Sequence, residues 1–313
     1  PTEVTEDVLA AQTRPMIGHR GKGMEELLAK IQPALQRVFR TTRPVYISSS
    51  SATGLMEGSL RNGARRRVLS LVNGAFSDRF HKIALACGLE ADALEAEWGG
   101  IHEPERVAEA LKGGQYDAVT VAHSETSTGA LNPIAELARV AHAAGDVVLL
   151  VDSVTGVAGV PVEGDAWALD FVLTGSQKAL ALPPGLAFGV AQPNILERAR
   201  AQKGRGIYFD FLEFEKFTLQ NQTPNTPAVS LLFALAKQLE RIDAETLPVR
   251  WARHEAMARR TWAWADEMTA RGVPVRVLAP EGYRSWTVTC LTVPPGKKGS
   301  EVNAAMKAKG IVI

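Results

Sequence analysis

The chain has 313 residues, is 46% hydrophobic and 22% charged, and sets 35 Lys and Arg against 34 Asp and Glu for a formal net charge of +1. That length can enclose a large core with a smaller unit attached, and so balanced a charge gives no electrostatic case for nucleic acid. No apolar stretch approaches the roughly 20 residues that a membrane-crossing helix needs, no signal peptide is evident, and Cys87 and Cys290 form neither a metal spacing nor a disulfide framework, so a reducing cytoplasm is the expected location.

The first element with chemical content is Ser48-Ser49-Ser50-Ser51-Ala52-Thr53-Gly54, ahead of a helical pattern over 55–62. Small hydroxyl residues at a helix start expose backbone N–H groups and favour an anion, although an ordinary N-cap loop has the same composition. No Walker-type lysine follows, which disfavours a nucleoside triphosphate. Apolar strand-like runs come next at 68–72, 118–122, 147–151, 171–173 and 186–190, with amphipathic helical stretches at 78–87, 104–112 and 133–144 between them. This alternation predicts an α/β fold, a mostly parallel sheet sandwiched by helices, with ligands at the carboxyl ends of the strands.

Two of those ends carry charged residues. The run 148–151 is followed directly by Asp152, a carboxylate that needs a cation, a metal or a helix N-terminus to be tolerated there. The next run leads through Thr174-Gly175-Ser176-Gln177 to Lys178, and a desolvated lysine suits Schiff-base formation. Together, an anion cradle, a strand-end acid and a strand-end amine are what pyridoxal 5′-phosphate (PLP) requires.

Beyond residue 229 the pattern changes to helices over 230–242 and 247–271, then strand-like runs at 274–278 and 287–293. A large domain over 1–245 and a smaller α+β domain over 246–313 are therefore expected. The chain begins at Pro1 and stops inside the apolar run 310–313, so residues are expected to be missing at both ends and the small domain to be incomplete.

The motifs around Asp152-Ser153-Val154-Thr155, Gly175-Ser176-Gln177-Lys178-Ala179-Leu180 and Pro183-Pro184-Gly185, with His123-Ser124-Glu125-Thr126-Ser127-Thr128-Gly129, resemble the class V aminotransferases of PLP fold type I. Within them the chain looks most similar to the alanine–glyoxylate and serine–pyruvate branch. The resemblance implies that Lys178 forms the Schiff base and that Asp152 pairs with the ring nitrogen. It implies that Ser51, the Ala52 N–H and Thr53 hold the phosphate with Gln177 nearby, that Ser127 bonds near the ring hydroxyl, and that Phe76 stacks on the ring. It also implies that the stretch Gln222-Thr223-Pro224-Asn225-Thr226-Pro227 reaches the neighbouring subunit's cofactor through Thr223 and Thr226, in a homodimer with shared active sites. Arg20, in Gly18-His19-Arg20, is a candidate substrate contact and equally a candidate surface arginine.

The resemblance implies transamination between a small amino acid (alanine or serine) and a 2-oxo acid (glyoxylate or pyruvate). Phosphoserine and aspartate are alternative substrates of the same reaction type. A cysteine desulfurase or lyase is disfavoured, because Gln177 and not histidine precedes Lys178, and neither cysteine lies in a mobile-loop pattern. PLP binding without turnover is a third alternative. The family's substrate-carboxylate arginine falls beyond Ile313 and has no counterpart in this sequence.

Overall fold

The computed structural model describes residues 1–311. Its strands are β1 (Val45–Ser48), β2 (Arg67–Val72), β3 (Glu90–Glu95), β4 (Ala118–Ala122), β5 (Ser124–Glu125), β6 (Ala130–Leu131), β7 (Val148–Asp152), β8 (Phe171–Gly175) and β9 (Ala187–Ala191). Its helices are α1 (Glu6–Ala11), α2 (Lys22–Phe39), α3 (Ala52–Gly63), α4 (Ala75–Ala86), α5 (Pro104–Leu111), α6 (Ile134–Ala143), α7 (Pro193–Ala201), α8 (Phe211–Thr218), α9 (Val229–Glu245), α10 (Leu247–Ala270) and α11 (Gly299–Lys307).

Seven strands form one sheet in the order β1-β9-β8-β7-β4-β2-β3. Pairing is parallel from β3 through β2, β4 and β7 to β8, and β9 runs antiparallel between β8 and β1. The five central apolar runs form these strands because both of their faces are covered. Along β7, Leu149 and Val151 join one core cluster, and Val148 and Leu150 join the other. The first cluster packs beneath α2, α5, α6 and α9, where Met24, Leu28, Ile31 and Leu35 make a helical stripe. The second lies under α3, α4, α7 and α8, where Phe171 stacks on Phe211 at 4.8 Å. Each such fully buried side chain contributes ~1.5–3 kcal/mol.

The short edge strands β1 and β3 were not expected from sequence. β3 reads Glu-Ala-Asp-Ala-Leu-Glu and is mostly half-exposed, so it lacks the continuous apolar run of a central strand. The runs 274–278 and 287–293 also differ from expectation. They meet at a single bridge, Val277 with Leu291, flanked by the bonds Leu278 N–H to Cys290 O and Thr292 N–H to Arg276 O. A two-stranded pair with no third strand beside it forms little regular ladder. Of the run 310–313, Gly310 closes the turn after α11 and Ile311 follows it, and Val312 and Ile313 lie outside the described residues. Among the described residues, no helix is long and apolar enough to cross a membrane.

Candidate active site

The carboxyl ends of β1, β2, β4, β7 and β8 open onto one cavity of about 330 Å³. The start of α3 forms one side. Ser51 takes the N-cap position in extended conformation with its hydroxyl making no capping bond, while the Gly54 N–H closes on the Ser51 carbonyl at 3.0 Å. The N–H groups of Ala52 and Thr53 are thus those that a helix N-terminus leaves for an outside acceptor. Ser51, Ala52 and Thr53 all line the cavity.

Asp152 ends β7 at 5% exposure, its Oδ1 accepting the Val154 N–H at 2.9 Å. Burial pushes its pKa from 3.8 to about 7; the neighbouring Glu125 charge adds to the rise, while the Val154 N–H, Arg79 and Lys178 oppose it. Among the described residues no side-chain cation hydrogen-bonds it. It therefore presents to the cavity an acid without an ion-pair partner, a costly arrangement unless a cationic group arrives from outside. Behind it, the Nδ1 of buried His123 meets Ser153 Oγ at 3.0 Å, and the His123 N–H donates to the Asp152 carbonyl. Burial lowers the His123 pKa to about 3, so the ring is neutral.

Lys178 and Gln177 line the same cavity from the turn after β8. The backbone of that turn is pinned on several sides. Ser176 N–H donates to Leu186 O and Ala181 N–H to Lys178 O, and Arg250 donates to Ala179 O at 2.6 Å. Thr2 joins from the beginning of the chain, with its N–H on Gln177 O and its hydroxyl on Lys178 O at 3.1 Å. A lysine on so well-held a turn is presented to the cavity from a fixed root.

Opposite stands the first turn of α4. Phe76 lines the cavity with Arg79, whose guanidinium lies over the Phe76 ring. Ser127, expected to face the ring, instead bridges two backbone segments: its hydroxyl accepts the Ala75 N–H at 2.8 Å and reaches Glu125 Oε1 at 2.6 Å. Thr126 lines the cavity in its place, as do Ser124, whose hydroxyl is paired with Ser285 Oγ, and Thr155, whose hydroxyl donates to Ser124 O. The tight turn from Glu125 to Gly129, whose N–H returns to Glu125 O at 2.8 Å, turns neighbouring side chains in opposite directions.

Thr223, Thr226 and Arg20 lie away from this cavity. Thr223 and Thr226 sit with Ser49 in a small neighbouring cleft, where Thr223 Oγ1 donates to Asn225 O. Arg20 donates to the Thr223 and Pro224 carbonyls at 2.7 and 3.0 Å and covers the Phe217 ring. In the described chain its guanidinium braces the 222–227 loop. Seven of the expected residues (Ser51, Ala52, Thr53, Phe76, Asp152, Gln177 and Lys178) share one cavity. Met56, Arg79, Ser124, Thr126, Val154 and Thr155 were not singled out. Arg79 was findable as the residue one helical turn after Phe76, and Thr126 as the neighbour of Ser127 within one motif.

The sequence pattern of the family described as "Aminotransferase class-V" matches residues 48–288. An uncharacterized aminotransferase of Methanocaldococcus jannaschii is 37% identical over 99% of this chain and 80% of its own length. The serine–glyoxylate aminotransferase of Methylorubrum extorquens is 31% identical over 96% of this chain and 77% of its own. Among solved structures, a Thermus thermophilus aspartate aminotransferase of subgroup IV superposes with a TM-score of 0.90 at 32% identity, covering 100% of this chain and 86% of that one.

Proposed function

The chain belongs to the class V aminotransferase family, and from that membership we propose that it binds PLP in the 330 Å³ cavity and exchanges an amino group between a small amino acid, serine or alanine, and a 2-oxo acid such as glyoxylate. The observation that carries the reading is the convergence of unpaired Asp152 and loop-held Lys178 on the cavity that the α3 N-terminus also faces. The donor set fits the group: free helix N–H groups and hydroxyls for a phosphate, a lone acid for a protonated ring nitrogen, an amine for an aldehyde, and an aromatic side chain for the ring face.

When bound, PLP supplies the aldehyde that takes up the amino group and the ring that accepts electrons from the substrate Cα. Ser51, Thr53 and the first N–H groups of α3 bind and orient its phosphate, with Gln177 beside them. Asp152 would hold the protonated ring nitrogen, and charge pairing with it would offset the burial that otherwise favours the protonated acid. Phe76 would hold the ring face, while Met56 and Val154 add apolar wall that excludes water. Lys178 Nζ carries the proton that leaves the substrate Cα.

The 222–227 loop, with Thr223 and Thr226, is proposed to approach the cofactor of a second copy in a homodimer. Exposed Ile207 and Tyr208, near that loop and the Ser49 turn, support this. The two free cysteines fit the cytoplasmic location of the same reading. Neither cysteine lines the cavity, so no thiol stands ready there for desulfurase chemistry among the described residues. Aspartate is the second donor to consider, since the Thermus thermophilus structure is that of an aspartate aminotransferase.

The test mixes the full-length protein with PLP and scans the visible spectrum, then supplies glyoxylate with serine, alanine or aspartate and measures glycine. A visible band absent from Lys178→Ala, with glycine formed from at least one donor, is the expected result. No band in wild type would overturn the cofactor assignment, and a band without turnover by any donor would overturn the transaminase assignment.

A further inference from the structure

Glu125 is 0% exposed, yet no cation pairs with it among the described residues. Its carboxylate is satisfied instead by donors from two segments. From α4 come the Phe76 N–H at 3.2 Å and the Ser77 N–H at 2.9 Å, with the Ser77 hydroxyl at 3.0 Å. From its own turn come the Ser127 N–H at 3.1 Å and the Ser127 hydroxyl at 2.6 Å. A charged acceptor on the open N–H groups of a helix start makes strong, directional bonds. It is in effect a cap for α4 supplied from a different part of the fold. The approach is close, for a Cβ on Gly74 would collide with Glu125 Cγ and Ser127 Oγ.

The two segments that Glu125 joins are adjoining walls of the cavity. One carries Phe76 and Arg79, the other Ser124 and Thr126, and Glu125 itself does not line it. The residue whose backbone N–H it grips, Phe76, is the one whose ring faces the cavity. We infer that Glu125 is a positioning residue for the cofactor ring: through the first turn of α4 it sets where the Phe76 ring stands relative to the Asp152 and Thr126 side of the site. This deepens the proposed function and rests on PLP being the occupant. It differs from a plain stabilising cap, which would lower the melting temperature and leave the Phe76 contact with the ring as it was.

A double-mutant cycle separates the two. Glu125→Gln keeps the shape and removes the charge, Phe76→Ala removes the plate, and the pair is combined in the full-length protein. The readouts, taken at a pH well above 7 so that Asp152 is ionised with or without the Glu125 charge, are the PLP dissociation constant of the apoprotein, the visible circular dichroism of the bound cofactor and the apoprotein melting temperature. Glu125→Gln is expected to weaken PLP binding by about tenfold, the order of one aromatic contact, and to alter the dichroism. In the Phe76→Ala background the same change is expected to have almost no further effect on binding. Equal loss of affinity in both backgrounds overturns the inference, as does a lower melting temperature with unchanged affinity and dichroism. Should Glu125→Gln not fold, Glu125→Asp, which keeps the charge but draws the carboxylate back from the α4 N–H groups, replaces it in the same cycle with the same criteria. Wild type that binds no PLP sinks the functional proposal and this one with it, whereas wild type that binds while the cycle is additive sinks this one alone.

Discussion

Arg79 holds its guanidinium carbon 5.1 Å from the centroid of the Phe76 ring, one helical turn earlier on α4, and both side chains line the cavity that contains Asp152 and Lys178. Arg79 and Lys178 are the two cations that oppose the rise in the Asp152 pKa. Arg79→Gln is therefore expected to leave Asp152 protonated to a higher pH and to weaken PLP binding by about threefold to tenfold, in line with ~1 kcal/mol for an exposed cation–π site. The loss should be larger near pH 6 than near pH 8, because the neutral acid is the form that Arg79 disfavours. Arg79→Lys should recover most of it. Titrations at the two pH values check this, and equal losses at both would argue against a charge effect.

The buried acid also makes the apoprotein's stability depend on pH. The Asp152 carboxyl titrates near its ordinary 3.8 in the unfolded chain and near 7 in the folded one, raised by burial. Between those values the folded state holds a proton that the unfolded state has released, so stability falls as pH rises through the window. Asp152→Asn stays neutral and is expected to gain on wild type by up to about 4 kcal/mol between pH 4 and pH 8. His102, His123 and His254 act in the other direction, since burial lowers their pKa values to about 4, 3 and 4 and stability is lost as pH drops below 6.5. Comparing variant with wild type cancels that background. Urea unfolding of both apoproteins across the range is the measurement, and a gap that does not change with pH would contradict the raised value.

Neighbouring hydroxyls in one turn have different tasks. Thr126 lines the cavity, whereas Ser127 is used on the Ala75 N–H and Glu125. Thr126→Val is expected to weaken PLP binding severalfold with little change in apoprotein stability. Ser127→Ala is expected to cost ~1 kcal/mol of stability, the usual worth of such a cap. Melting curves and PLP titrations on both variants suffice, and the reverse pattern would mean that Ser127 turns inward when the site is filled.

The turn after Asp152 leaves no room at Gly156. A Cβ there would collide with Ser153 Oγ and stand 2.7 Å from His123 Nδ1, breaking the bond between those two side chains. Gly156→Ala is expected to destabilise the protein by ~1–3 kcal/mol, the range for overpacking a filled interior. PLP affinity should drop with it, because His123 and Ser153 flank Asp152. Calorimetry of the apoprotein tests the first part; an unchanged melting temperature would show that the turn relaxes freely.

Legibility followed burial. β4, β7 and β8 were readable because a strand covered on both faces needs an uninterrupted apolar run, and Asp152 and Lys178 stood out because each breaks the pattern where such a run ends. β3 was missed because an edge strand with one wet face shows no such run, and β1 because four residues are too few to show a period. Within the site, Arg79 was overlooked because an arginine on a helix looks like solvated surface unless it is read from Phe76 one turn earlier. Ser127 was chosen over Thr126 because composition cannot tell which of two adjacent hydroxyls a tight turn points inward. Arg20 lacked any sequence sign of its true partners, the carbonyls of residues more than 200 positions away.

The pairing of β1 with β9 has a consequence for how the protein is born. Tyr46 lies opposite Gly189 and Ser48 opposite Ala187, so the strand that leads into the Ser51 cradle has no place in the sheet until Ala191 has been synthesised. At ~5–20 residues per second the ribosome needs roughly 10 seconds or more for that stretch, during which the early hydroxyl loop waits on a partner not yet made. Nascent chains stalled shortly before Ala187 are expected not to retain PLP even though Lys178 and Asp152 are already in the polypeptide, while chains released beyond α9 retain it. Cofactor capture would then report on completed translation of the sheet and could serve as a natural readout of its assembly.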